Sequence, residues 1–257
     1  MTTVNDILSF VETLAPRALK MDWDNVGLLC GSRSTPVTKV LVALDPFEHV
    51  CREAADWGAE LMVTHHPLIF QPVQAVTDET SIGRAIGILC RHGISAVNAH
   101  TNLDCAADGV NDVLAGKLGL GNVAAIPVRD AAGLLRHGTV EKQSLQAFLE
   151  LVKTALGCDG LRYVNSGKPV RHVAVGGGAC ASEMLDALAA GCDTFVTADV
   201  KYNQFWDAHD LGMNLIDAGH FATENPVVSV VAEKIREAFP DLQVKISETH
   251  RDCMKFY

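Results

Sequence analysis

The sequence predicts an α/β fold built from two similar lobes. Strand-like and helix-like patterns alternate through most of the 257 residues, which is typical of α/β proteins. Several of the predicted helices are followed by a glycine, the residue that most readily ends a helix. Segments of the second half also resemble segments of the first half in the same order. These three observations define the predicted fold class.

The first half predicts three strands and four helices. An amphipathic helix with Ile7, Leu8 and Val11 at helical spacing is expected to bend or break at Pro16. The predicted strands are Val40–Leu44, Leu61–Thr64 and Ile94–Asn98, and the predicted helices are Val4–Lys20, His49–Trp57, Ser81–Arg91 and Asp108–Leu118. Gly58 and Gly93 are expected to end the second and third of these helices.

The second half repeats this alternation. The predicted strands are His137–Val140, His172–Val175, Thr194–Thr197 and Leu215–Ile216, and the predicted helices are Ser144–Ala155, Ser182–Ala190 and Asn203–Leu211. Gly191 and Gly212 are expected to end the last two helices.

Two pairs of segments indicate an ancient duplication. Residues 58–66 resemble residues 191–199 without gaps, and residues 93–100 resemble residues 212–220 with one extra residue. We therefore predict a first α/β lobe over residues 1–125 and a second over residues 126–257. Two similar lobes that face each other would place both sets of strand ends around one cleft.

Composition limits the functional classes. A hydrophobic content of 48% predicts a globular chain, and no window approaches the roughly 20 apolar residues of a membrane span. A net charge of −10 argues against a nucleic-acid surface. The N-terminus lacks a secretory pattern and the eight cysteines form no CxxC pair, so we expect reduced thiols and a cytoplasmic protein.

Five potential metal ligands lie in three short segments that each follow an apolar run: His65, His66, Asp104, His220 and Glu224. The carboxyl ends of strands in an open α/β sheet are where ligands bind. Imidazole and carboxylate ligands suit zinc, manganese, iron or nickel rather than calcium, and two carboxylates leave room for a bridged pair of ions. The sequence therefore predicts a metal-dependent catalyst.

The individual motifs leave alternatives open. His65-His66-Pro67 could be a surface histidine pair at a turn, and His220 and Glu224 share one face only if a helix begins there. His100 could be a sixth ligand, an outer hydrogen-bond donor or a general acid–base. Two further segments remain ambiguous, a glycine turn at residues 176–178 and a polar-aromatic cluster at residues 22–28.

The chain resembles the NIF-three-like dinuclear-metal proteins, also called GTP cyclohydrolase 1 type 2 homologues. The resemblance lies in Trp23-Asp-Asn-Val-Gly27, Thr64-His-His-Pro67, His100-Thr-Asn-Leu-Asp104 and Ala218-Gly-His-Phe-Ala-Thr-Glu224, and it runs from about Val4 to the C-terminus. One departure is Thr197–Asn203, where the family segment often reads Thr-Gly-Asp/Glu and ends in His. Ala198 and Asn203 stand at those two positions, which weakens any role for a histidine there.

The resemblance implies two similar α/β lobes with a dinuclear metal site in the cleft between them, and assembly as a ring-shaped homohexamer. Carried over by motif, the five residues are the metal ligands, Glu224 is the bridging carboxylate, and Asp104 is a further candidate for that role. We expect two divalent ions per chain and hydrolysis of a small molecule, with a purine nucleotide such as GTP as a candidate substrate and His100 as the catalytic proton carrier. The alternative is a metal-stabilised ring that acts as a scaffold or regulatory protein without catalysis.

Overall fold

The computed structural model describes residues 1–128 and 131–257, which form two compact units. The first unit comprises residues 1–103 and 228–251, and the second comprises residues 104–227 and 252–257. This grouping differs from the predicted lobes 1–125 and 126–257, because strand β11 (Gln243–Ile246) pairs in parallel with strand β2 (Lys39–Ala43) of the first unit. It also assigns Asp104 to the second unit.

The first unit contains a five-stranded mixed sheet. Its other strands are β1 (Gly27–Cys30), β3 (Leu61–Thr64) and β4 (Ser95–Asn98), and its helices include α1 (Val4–Leu14), α2 (Glu48–Trp57) and α3 (Ser81–His92). The strand order is β1-β4-β3-β2-β11, and only β1 runs antiparallel to its neighbour. Helices α4 (Thr101–Cys105) and α10 (Pro226–Ala238) contain two of the three sequence boundaries between the units.

Local sequence signals set the ends of these helices. Thr3 and Asp6 form a reciprocal capping box at the start of α1, which ends at Leu14 before Pro16, as predicted. Helices α2 and α3 end at Gly58 and Gly93, whose positive φ angles of 73° and 65° confirm the predicted glycine stops.

The second unit contains a six-stranded mixed sheet. Its strands are β5 (Gly121–Val128), β6 (Ala131–Gln143), β7 (Arg162–Val164), β8 (Val170–Val175), β9 (Thr194–Thr197) and β10 (Asn214–Asp217). Its helices are α5 (Val110–Lys117), α6 (Leu145–Leu156), α7 (Met184–Ala189), α8 (Tyr202–Leu211) and α9 (His220–Glu224). The strand order is β5-β6-β8-β9-β10-β7, and β8, β9 and β10 are parallel.

Two fully buried parallel strands lie next to each other in each sheet. Every residue of β3 and β4 in the first unit, and of β9 and β10 in the second, is buried. Each strand therefore has both faces covered, as parallel strands in α/β proteins do. The predicted α/β class with two similar units is confirmed, and the segments that follow these strands are the ones that carry the candidate ligands.

Candidate metal centre

Three histidines of the first unit converge after neighbouring parallel strands. His65 and His66 follow β3, and His100 lies two residues beyond the end of β4. The ring centroids of His65 and His66 are 4.9 Å apart, and that of His100 lies 5.2 Å and 5.5 Å from them. One ring nitrogen from each of the three lies within 4.8 Å of the others. This histidine group could hold a metal ion.

The Nδ1 atom of each histidine in this group faces an oxygen acceptor. The three contacts are His65 Nδ1 to the Ala99 carbonyl at 2.9 Å, His66 Nδ1 to Asp45 Oδ1 at 2.7 Å, and His100 Nδ1 to Asp24 Oδ1 at 2.8 Å. A carbonyl or an ionised carboxylate can only accept a hydrogen bond, so Nδ1 must be the donor. In the neutral form of each ring the lone pair is then on Nε2, which is the arrangement in which proteins orient metal-binding imidazoles.

The two carboxylates behind these rings are held in their ionised form. Burial acts to raise the pKa of Asp24, but hydrogen bonds from His100 and Thr101 outweigh it and lower the pKa to about 2. Burial likewise opposes ionisation of Asp45, yet its hydrogen bonds with His250 and His66 bring its pKa well below the usual range. Asp24 and Asp45 therefore remain acceptors for the two histidines near neutral pH.

The other three predicted ligands belong to the second unit. Helix α9 begins at His220, and His220 and Glu224 lie four residues apart on one face, with His220 Nε2 2.9 Å from Glu224 Oε2. The helix start that the spacing required is confirmed. Asp104 and Glu224 are both buried, and each has a carboxylate oxygen within 4.8 Å of the other. Each of these three residues belongs to a group of histidine and carboxylate side chains that could hold a metal ion.

His220 is oriented in the same way as His65, His66 and His100. Its Nδ1 donates to Asp199 Oδ2 at 2.7 Å. Asp199 follows β9 and has a φ angle of 51°, a left-handed conformation that few residues other than glycine adopt. A rare backbone conformation at the residue that holds a candidate ligand is typical of a functional position.

The glycine turn at residues 176–178 packs against Glu224. A Cβ atom on Gly178 would lie 2.1 Å from Glu224 Oε1 and 3.1 Å from His220 Nε2, so only glycine leaves room for these groups. The Gly178 amide donates to Thr223 Oγ1 at 3.0 Å, which ties the turn to α9. The glycine turn that the sequence left ambiguous thus packs its backbone directly against the Glu224 carboxylate.

Cys180 is unsuited to be a ligand although it lies close by. Burial first, and then the negative charges of Asp104 and Glu224, raise the pKa of its thiol well above the usual value. The protonated thiol donates to the Gly177 carbonyl at 3.2 Å. Among the described residues, Cys180 belongs to none of the groups that could hold a metal ion.

Sequence reasoning missed the carboxylates that orient the histidines. Asp45 was not identified, Asp24 was only part of an ambiguous cluster, and Asp199 was noted only for its family segment. Asp45 and Asp199 each lie two residues beyond a parallel strand, so the strand-end rule that selected the candidate ligands includes them as possible site residues but does not assign their role.

The fold and these groups define an α/β protein whose histidines and carboxylates could hold a metal ion. The chain belongs to the Duf34/NIF3 (NGG1p interacting factor 3) family, whose model matches residues 2–253. A Clostridium perfringens protein named GTP cyclohydrolase 1 type 2 homolog is 36% identical, over 98% of this chain and 99% of that protein. The predicted family resemblance is confirmed.

Solved structures show the same fold. A Bacillus cereus protein related to NIF3 is similar with a TM-score of 0.93 and 26% identity, over 100% of this chain and 99% of that chain. Reduced HcgD from Methanocaldococcus jannaschii has a TM-score of 0.83 and 30% identity, over 96% of this chain and 98% of that chain.

Proposed function

We propose that this chain is a metal-dependent hydrolase that acts on a small molecule, with a purine nucleotide such as GTP as the leading candidate substrate. In this proposal two divalent ions, of zinc, iron, manganese or nickel, are bound by His65, His66, Asp104, His220 and Glu224. The observation that carries the proposal is that His65, His66, His100 and His220 all have Nδ1 fixed by an oxygen acceptor. Such fixation is common for metal ligands and unusual for four unrelated surface histidines.

The donor set suits hydrolytic chemistry. Two divalent ions held by imidazoles and carboxylates would lower the pKa of a water molecule and polarise the bond to be cleaved. The chain's own part is to orient the proposed ligands. Asp45 accepts a hydrogen bond from His66, and Asp199 accepts one from His220. The name of the Clostridium perfringens relative supports a nucleotide as the substrate.

His100 is proposed as the proton carrier. Asp24 fixes its Nδ1–H and would stabilise the positive charge that forms when Nε2 takes up a proton. This pairing matches the histidine–aspartate unit that general acid–base catalysts use. The same ring could instead serve as a ligand, because it belongs to the group of three histidines. Metal content and activity measured on one variant separate the two roles.

The test combines elemental analysis with a hydrolase screen. Wild type, Asp104→Ala, Glu224→Ala and His100→Ala are purified without added metal, and GTP, phosphomonoesters and phosphodiesters are assayed after metal is restored. We expect Asp104→Ala and Glu224→Ala to lose at least one metal equivalent. His100→Ala should retain its metal and lose roughly a hundredfold or more in rate.

His209→Ala is the matched control. His209 is exposed and its Nδ1 contacts Asp210 at 3.1 Å, so it copies the histidine–aspartate pair away from the proposed ligands. Full metal content in both carboxylate variants would refute the ligand set. If metal-loaded wild type is no better than Glu224→Ala on every substrate, hydrolysis of these classes is excluded and a metal-stabilised scaffold replaces the enzyme.

Assembly is part of the proposal. The family resemblance favours a homohexamer, in which six chains of 27.5 kDa give about 165 kDa.

In residues 1–128 and 131–257, no helix combines the length and apolarity needed to cross a bilayer.

A further inference from the structure

Two solvent-exposed aromatic rings stand beside His100 in the first unit. Trp23 is 60% exposed and Phe70 is 48% exposed. Their ring centroids are 5.7 Å apart in an edge-to-face arrangement, and each lies about 6 Å from the His100 ring, at 6.2 Å and 6.1 Å. Large aromatic rings left half in water lose the burial that normally stabilises them, so a pair at this position calls for an explanation.

The backbone that carries Trp23 is firmly anchored on both sides. Asp24 accepts hydrogen bonds from His100 Nδ1 and from the amide and hydroxyl of Thr101. The Met21 amide donates to Thr101 Oγ1 at 3.0 Å, and the Lys20 ammonium group donates to the carbonyls of Met21 and Asp24. The exposed ring therefore stands on a fixed support.

The Trp23 and Phe70 segments are also joined to each other. Asn25 Nδ2 donates to the Ile69 carbonyl at 2.7 Å, directly before Phe70. The two rings thus form a preorganised pair, which we call the aromatic platform. Preorganisation lowers the entropy cost of binding a ligand.

A groove adjoins the platform. It has a volume of about 590 Å³ and is lined by residues between Pro67 and Ile82, among them Phe70, Gln71 and Gln74. This volume lies within the range of small-molecule sites. A second groove of about 410 Å³, which contains His66, shares Pro67 with the first and adjoins it. The platform and the groove thus lie near one candidate ligand and the proposed proton carrier.

We propose that Trp23 and Phe70 bind the planar heterocyclic base of a nucleoside or nucleotide, which stacks on the face of one ring and contacts the other ring. Aromatic side chains recognise bases through their π faces, and the glutamine amides offer donors and acceptors to a base edge. A ligand without a flat heterocycle would gain little from this surface. The inference rests on the proposed function only in taking the bound molecule to be the substrate, because the binding itself can be measured without turnover.

The test is calorimetric titration of the protein as purified, with guanosine, GTP and inorganic triphosphate as probes. Trp23→Ala and Phe70→Ala should each weaken guanosine and GTP binding about 5- to 150-fold, the range that one base stacked on one ring provides. Triphosphate binding should be unchanged in both. Trp23→Phe should retain most of the affinity but lose the quenching of tryptophan fluorescence by guanosine.

Trp206→Ala is the matched control. Trp206 is 53% exposed and its ring packs 5.5 Å from that of His209, so it is a second exposed tryptophan–histidine pair. Its removal should leave guanosine binding unchanged. Guanosine and GTP affinities that stay within twofold of wild type in both Trp23→Ala and Phe70→Ala would overturn the inference. Variants that show a lower mass in light scattering but bind guanosine and GTP like wild type would overturn it as well.

The outcomes also separate the inference from the proposed function. Base binding that depends on Trp23 in a protein that hydrolyses none of the substrates would retain the aromatic platform and refute the hydrolase. Hydrolysis of GTP with the same KM in wild type and Trp23→Ala would retain the hydrolase and refute the aromatic platform.

Discussion

At the scale of single residues, the most informative feature is the acceptor behind each histidine. An imidazole has two nitrogens, and only one can bind a metal while the other is hydrogen-bonded. His66 and His220 lie in different units but both place Nδ1 2.7 Å from an aspartate oxygen. The repetition of this contact supports a shared purpose for the two rings.

Removing one of these aspartates should weaken metal binding without unfolding the chain. We expect Asp199→Ala to lower metal affinity about 10- to 100-fold, because His220 loses the acceptor that fixes its ring. Competition with a chromophoric chelator measures the affinity. Asp210→Ala, which removes the exposed partner of His209, is the control. Equal affinities in wild type and Asp199→Ala would show that the contact does not orient a ligand.

The aspartates that accept hydrogen bonds from the candidate histidines are the hardest site residues to predict from the sequence. The five candidate ligands were selected because histidines and carboxylates followed apolar runs and matched family motifs. Asp45 follows β2 just as His65 follows β3, yet a lone aspartate before proline is also a common turn residue. Only the three-dimensional contact with His66 distinguishes the two roles.

At the scale of elements, the glycine turn after β8 determines how closely the backbone approaches Glu224. We expect Gly178→Ala to lower metal content, because the new methyl group would overlap Glu224 Oε1. Gly191→Ala is the control, since Gly191 also has a positive φ angle, of 82°, but no atom within 4 Å of the added Cβ. Both variants should lose about 1 kcal/mol or more of unfolding free energy from backbone strain.

The comparison isolates contact from strain. Elemental analysis of the two purified variants, with thermal unfolding as the measure of stability, provides the readout. If both variants bind metal like wild type, the close approach of the turn to Glu224 has no bearing on the site.

Helix α2 is connected to the segment after β11 through one buried carboxylate. Glu53 accepts hydrogen bonds from Ser247 Oγ at 2.6 Å, from the Glu248 amide at 2.9 Å and from Thr249 Oγ1 at 2.7 Å. Burial acts to raise the pKa of Glu53, but these bonds outweigh it and lower the pKa from 4.5 to about 2. The ionised carboxylate therefore stabilises the folded chain.

This pKa shift predicts a dependence of stability on pH. The contribution is complete above pH 4.5 and is lost as the pH falls towards 2, because the unfolded state binds the proton first. Its full size is on the order of 3 kcal/mol. Glu53→Gln should have a lower free energy of unfolding than wild type at pH 7. That free energy should also fall less than the wild-type value on acidification.

Urea unfolding across this pH range measures the effect. Glu233→Gln, which alters an exposed carboxylate paired with Arg236 at 3.1 Å, is the control and should follow the wild-type curve. Parallel curves for wild type and Glu53→Gln would contradict the assigned role of Glu53.

The elements differ in how well the sequence predicted them. Buried strands such as β3 and β9 were found because short apolar runs between a glycine and a polar segment are distinctive. Strand β5 was not predicted because its first five residues are all exposed, which leaves no alternation of buried and exposed positions to detect. Helix α10 was not predicted, although it begins at Pro226 and proline is favoured in the first turn of a helix.

At the scale of the whole molecule, the predicted division of the chain depended on sequence order. The pairing of β11 with β2 joins residues about 200 positions apart, and no local pattern encodes such a contact. The halves of the sequence are therefore not the compact units. The duplication itself stays a prediction, although β3 with β4 and β9 with β10 are both pairs of buried parallel strands.

The proposed hexamer is a property of the whole molecule and has a salt dependence that can be predicted. Each chain carries a net charge of −10, so chains repel one another when they associate. Screening shortens the reach of that repulsion to about 10 Å at 0.1 M ionic strength. We expect light scattering to give about 165 kDa, for six chains of 27.5 kDa, with smaller species appearing first at low ionic strength. A monomer at micromolar concentration in both low and high salt would refute the hexamer and would remove the main support for a scaffold role.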